Sequence, residues 1–286
     1  MKQSKLWFTL FIAPILFAFI VVVIVPMIVG IYYSFTDWDA IRTGSWVGFD
    51  NYARVFKDKD FFNSFVFTTK FAIISVISIN IIGFILALLV TQDHKISNFL
   101  RSVFFLPNLI GGLILGFIWQ FIFTRGFDAV GKLMGIEFLQ GWLSDTTTGF
   151  WGLVILMSWQ MSGYMMVIYI AALQNIPQSL LEAADIDGAN SWHKLKHITI
   201  PLVAPAFTVG VFLALSCSFK LYDQNLALTG GGPYNSTQML ALNIYNTAFR
   251  FRDFGGAQAK AVIFLLIVAA ITLTQVYIGK KREVEM

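Results

Sequence analysis

Cysteine is nearly absent from these 286 residues, Cys217 being the only one. No intrachain disulfide can form and no thiolate metal cluster can be built. Charge is also scarce, with Asp, Glu, Lys and Arg together at 13%, about half of what a soluble surface uses. No GxxxxGK[ST] phosphate loop occurs, so ATP hydrolysis is not expected of this chain. His94, His193 and His197 have no acidic third ligand at metal-binding spacing, although the last two stand at i and i+4. No Ser, His and Asp grouping falls inside an apolar run, which argues against a membrane-embedded enzyme. The residues behind the net charge of +4 are scattered rather than interleaved with aromatics, so no nucleic-acid partner is indicated.

What is present in quantity is apolar: 57% of the chain, with a mean hydropathy of +0.71. Six stretches approach or exceed the roughly 20 residues needed to cross a bilayer. They are Leu6 to Phe35, Phe65 to Val90, Ser102 to Thr124, Gly149 to Leu173, Leu202 to Tyr222, and Ala257 to Gly279. Their length and lack of alternation predict helices, so the fold class is all-α and membrane-embedded. Pro14 and Pro26 are expected to bend the first span, which is too long for the apolar region of a secretory leader and is read as retained. GGLILG, Gly111 to Gly116, lies within a span and is better suited to close helix packing than to a nucleotide.

The connecting segments are polar. Thr36 to Phe62, Arg125 to Thr148 and Leu226 to Phe249 are long, the second with a short helix expected around Ala129 to Met134, while Gln92 to Arg101 is a brief link that forces its two spans together. Lys2, Lys5, Lys280, Lys281 and Arg282 make both tails basic, and an even span count puts them on one side. The preference for positive charge inside makes that side cytoplasmic. A raw count does not decide, because Arg42, Arg54, Lys57, Lys59, Arg125, Lys132, Arg250 and Arg252 then fall outside. Lys70 and Lys260 sit near outer span ends, where a lysine stem can lie along apolar surface and its amine reach water. Lys220 is left open.

The sharpest signal is Ile176 to Pro205, which is neither span core nor simple loop. Pro177 suits a first helical turn, Gln178 to Asp185 read as a short helix, and Gly188 as its stop. Asn190 or Ser191 can cap a second helix, which Pro201 is expected to close. Glu182, Ala183, Ala184, Asp187, Gly188 and Ala189, with Ile198 and Pro201 further on, resemble the EAA loop of the membrane subunits of ABC importers. Small side chains at Ala183 and Ala184 allow close seating in a groove, and Glu182, Asp185 and Asp187 offer charge to basic groups of a partner. WVGFDNYARVFKDKDFF and the TGGGP at Thr229 to Pro233, just after SFKLYDQ, resemble the first membrane subunit of carbohydrate importers.

Nearly the whole chain resembles that subunit type, as found in type I, binding-protein-dependent maltose and glycerol-phosphate importers. The resemblance implies six transmembrane helices with a cytoplasmic EAA hairpin between spans four and five. Residues 1–62 would form the first helix and external segment, 63–280 the permease core and 281–286 a cytoplasmic tail. It implies a multi-pass protein of a prokaryotic plasma membrane, surrounded by lipid and with both termini cytoplasmic. Its partners would be a second homologous permease, two cytoplasmic ATP-binding subunits that carry ATP and Mg, and an external solute-binding protein. No cofactor is expected in this chain. The cargo would be a sugar or oligosaccharide, with a polyol phosphate such as glycerol 3-phosphate as the alternative. A secondary transporter, a different class of answer, would need acidic groups at membrane depth, and Asp223 at a span edge is the nearest.

On the same resemblance the sugar path lies between spans four and five. Met157, Gln160, Met161 and Tyr164 share one helical face, and Ala214, Ser218 and Leu221 another, with Tyr222 and Asn225 continuing from Ser218. Gln160 and Ser218 would bond sugar hydroxyls while Tyr164, with Trp159 beside it, offers a flat surface to the ring. Bonding between helices explains the same polar groups about equally well. Met157, Ala214 and Leu221 stand where the maltose type has polar groups, pointing to a different sugar.

Overall fold

The structure is a computed structural model that describes residues 2–42, 44–92 and 96–281, with side chains from Leu10 onward. Among these residues no strand occurs, and six helical segments are long and apolar enough to cross a membrane. Lys2, Lys5, His94, Lys95 and Arg282 lie outside what the structure describes at side-chain level, as does most of the expected tail.

The first span comprises α1 (Lys2–Phe19) and α2 (Val25–Tyr33), joined by a π-helical turn over Ile20–Ile24. Pro14 is carried within α1, and Pro26 falls at the start of α2, where its missing N–H costs least. A short helix α3 (Asp50–Lys57) precedes α4 (Lys59–Thr91), the second span. The third departs from expectation. Ser102 to Thr124 is not one helix: α5 (Ser97–Phe105) ends in a 3₁₀ turn at Leu106–Leu109, and α6 (Gly112–Phe121) starts afresh after Gly111. Pro107 cannot continue the α5 ladder, which explains the break. At its other end the third span outruns the expectation, passing through a π turn at Ile122–Gly126 into α7 (Phe127–Met134).

The fourth span is α8 (Thr146–Gln174), capped by Asp145, whose carboxylate accepts from the N–H groups of Thr147 and Thr148. The Thr148 N–H and hydroxyl lead the contacts that hold the Asp145 carboxyl below its usual range. Two short helices, α9 (Gln178–Ile186) and α10 (Ser191–Lys194), form the expected hairpin. Pro201 does not close the second. A π turn at Leu195–Thr199 leads α10 straight into α11 (Ile200–Phe219), so helix runs unbroken from Ser191 to Phe219. The wider turn bonds i to i+5 and leaves room for the ring of Pro201. The chain continues with α12 (Asp223–Leu228), α13 (Leu240–Tyr245), a π turn at Asn246–Arg250 and α14 (Phe254–Lys280).

The chain divides into two compact units. The first joins residues 1–61 to 243–266. In it Asn51 is buried and donates through Nδ2 to the carbonyls of Ser34 and Thr36, both at 2.8 Å, while Phe35 stacks on Trp46. Lys260 corrects an expectation here: it does not reach for water. It is 6% exposed, 2.7 Å from the Asp58 carboxylate, and donates to Asn243 Oδ1 and Thr247 Oγ1. Lys70, in the other unit, and Lys220 are exposed.

The second unit joins 62–242 to 267–286, with α8 as its core helix. In α8 72% of the apolar window is buried, against 0% for the first span. α8 packs on α5, α11 and α12, and α12 packs on α6. Gly163 on α8 meets the Phe104 carbonyl so closely that no Cβ would fit. Gly112 and Gly116 lie against Gln224 and Ala227 of α12, as the close-packing reading of GGLILG expected.

Candidate functional site: a polar helical hairpin and a polar inter-helix face

α9 ends because Gly188 adopts φ +78°, a left-handed turn open to glycine, with the Ala189 N–H donating back to the Ala184 carbonyl at 2.9 Å. The Asn190 side chain accepts from the N–H of His193 and so caps α10. Ala184 is buried, whereas Glu182, Ala183 and Asp187 are exposed. Asp185 was expected to offer its charge outward; it is already paired with Lys194 at 2.7 Å, tying the two arms together. Two apolar residues missed by the pattern stand out on this hairpin, Ile186 at 87% exposure and Trp192 at 64%. Neither belongs to the alanine and glycine signature that marks the loop. His193 and His197 stack on each other, and among the described residues no group of three candidate metal ligands includes them.

The candidate path residues separate into distinct environments. Gln160 is 7% exposed; it accepts from Gln224 Nε2 at 2.9 Å and donates to the Ile110 carbonyl at 3.3 Å. Met157 and Met161 are buried beside it on α8, and Tyr164 is half-buried near Phe105. Trp159 does not join them. It lines a cleft of about 610 Å³ together with Ser78, Trp151, Ser158 and Ser162, and its ring meets Trp119 edge to face.

Ser218 on α11 is fully buried, and its hydroxyl has no hydrogen-bond partner. The face expected to run on from Ser218 through Tyr222 to Asn225 is interrupted, because α11 stops at Phe219 and a new helix begins at Asp223. Asn225 serves another purpose. It is completely buried, its Nδ2 donates to the Thr237 carbonyl and its Oδ1 accepts from the Met239 N–H, so it clamps the loop 229–239. Gln224, the partner of Gln160, was legible only as a polar residue after a span.

Among the described residues, an all-helical architecture with six potential spans and a polar helical hairpin between the fourth and fifth defines a multi-pass membrane protein. The chain belongs to the family "binding-protein-dependent transport system inner membrane component", whose model matches residues 79–284. It is therefore a permease-type protein rather than an enzyme. It is 55% identical to the "probable starch degradation products transport system permease protein AmyD" of Thermoanaerobacterium thermosulfurigenes, over 99% of this chain and 97% of that one. It is 32% identical to the "multiple sugar-binding transport system permease protein MsmF" of Streptococcus mutans, with 98% of both covered. Among solved structures, a bacterial ABC transporter that imports the acidic polysaccharide alginate matches with a TM-score of 0.83 at 19% identity, over 98% of this chain and 96% of that chain. A bacterial alginate ABC transporter in complex with alginate pentasaccharide-bound periplasmic protein matches with a TM-score of 0.84, also at 19% identity. These two likenesses are of fold.

Proposed function

We propose that this chain is one of two homologous membrane subunits of an ATP-driven importer, and that its cargo is an oligosaccharide of the kind starch breakdown releases. The observation that carries the reading is the 55% identity along nearly the full length of both chains to a permease named for starch degradation products. Two cytoplasmic subunits would hold ATP and Mg, and an external solute-binding protein would deliver the sugar. The hairpin is the docking element for the ATPase. Support comes from exposed Glu182 and Asp187, the projecting Ile186 and Trp192, and the glycine-dependent turn at Gly188. Ala183, Ala184 and Pro201 complete it, Ala184 anchoring the inner face. The sugar path runs by Tyr164 and Ser218, with Gln160 and Tyr222 at its sides, and the unpartnered Ser218 hydroxyl supports a ligand there. Trp159 contributes from the separate cleft.

The test is uptake of labelled malto-oligosaccharides by the complete complex in proteoliposomes. Uptake should need ATP and ignore ion gradients; dependence on a gradient would sink the importer reading. Gly188→Val forces a β-branched residue to φ +78°, costing at least about 1–2 kcal/mol. Together with Glu182→Lys it should abolish uptake in complexes that still assemble. Tyr164→Ala should reduce uptake while ATPase activity persists, and unchanged uptake would remove Tyr164 from the path.

A further inference from the structure

The loop between α12 and α13 is built as a rigid mount. Its base holds Asn225 and Thr237, both 0% exposed. Asn225 Nδ2 donates to Thr229 Oγ1 at one end of the loop and to the Thr237 carbonyl at the other, its Oδ1 accepts from the Met239 N–H, and Thr237 Oγ1 donates to the Gly232 carbonyl at 2.6 Å. Gly231 takes φ +82°, a conformation that strains any residue with a side chain, and a Cβ there would lie 3.2 Å from Gln238 and 3.3 Å from Leu242. A hydroxyl bond at 2.7 Å from Thr146 to Ser236 ties the outer part to the start of α8.

From this base the chain displays two residues, Tyr234 and Asn235, both with positive φ, at 51° and 62°. Tyr234 is 103% exposed. A large aromatic held in an unfavourable backbone region and touching nothing adds no stability to the chain that carries it. On a preorganised mount, however, it loses little freedom on binding, and a tyrosine supplies broad apolar contact with a polar tip.

We propose that Tyr234 is a docking spur for the external solute-binding protein. This rests on the importer reading above, and the family itself is one of binding-protein-dependent systems. The surroundings favour a protein surface over lipid: the adjoining Asn235 and Ser236 are polar, as is Thr146, which is bonded to Ser236.

The experiment measures ATPase stimulation of the complete complex in proteoliposomes against the concentration of sugar-loaded binding protein. Tyr234→Ala should raise the half-saturating concentration about tenfold, the effect of losing one hot-spot contact. The rate at saturation should hold, and Tyr234→Phe should recover most of the affinity. An unchanged half-saturating concentration, or a fall in saturating rate alone, overturns the proposal. A second measurement uses Tyr234→Cys in a Cys217→Ser chain. An impermeant maleimide should label position 234, and added binding protein should slow the labelling. If labelling occurs only after detergent, the ring sits in lipid and the spur is refuted. A wild-type complex that no binding protein stimulates would instead refute the importer reading.

Discussion

Lys260 shows what a single residue can hide. Its three donors are all used, by Asp58, Asn243 and Thr247, and Phe61 lies over the ammonium at 5.8 Å. Burial pushes the Asp58 carboxyl up, but the bond from Lys260 and the N–H groups of Phe61 and Asp60 pull it further down, to below 3.8. A depressed folded value means the pair stabilises the protein at neutral pH and loses that contribution as pH drops beneath 3.8 toward the lower value. Lys260→Met should cost about 2–3 kcal/mol, less than a fully buried pair because Asp58 keeps some exposure. Adding Asp58→Asn should restore part of it, read as thermal midpoint in detergent; additive losses would refute the pairing. The sequence placed Lys260 beside a span end, but its partner stands some two hundred residues away, and no local pattern records such a meeting.

Among the elements, spans were legible because a long apolar run allows few alternatives. Their interruptions were not. Pro107 and Asn108 sit between apolar stretches on both sides, and Pro201 reads as a stop unless a π turn makes room for it. The turn of the hairpin was legible, Gly188 and Asn190 doing what their residue types suggest. The path face was less so, since Gln160 has a packing partner in Gln224 that only the folded chain reveals. The same holds for the crossing of α4, α8 and α11. There Tyr169 donates to Asn80 Oδ1, and a Cβ on Gly210 would lie 2.6 Å from the Tyr169 hydroxyl. Gly210→Ala should therefore lower the thermal midpoint, with the backbone or the bond giving way at roughly 1–3 kcal/mol. Tyr169→Phe in the same chain should relieve part of the crowding, and a midpoint equal to wild type in the single variant would show that the crossing is slack.

At the scale of the molecule, six spans and the hairpin's place fix one expectation for topology. On that expectation the termini and hairpin would face the cytoplasm and 36–62 would face out. In a Cys217→Ser chain, Asp50→Cys should react with an impermeant maleimide on intact cells, and Asp187→Cys only after lysis. Labelling at 187 in intact cells would invert the arrangement. The first span, with none of its apolar window buried by its own chain, must find its cover in lipid or in another subunit. The unbroken helix from Ser191 to Phe219 has a mechanical meaning. Its 29 residues make a rod about 43 Å long, with one end in the hairpin and the other beside Ser218. Tilting that rod as one piece by about 5° about its hairpin foot swings the far end by about 4 Å, so a small rocking at one face of the membrane becomes an ångström-scale stroke near the other.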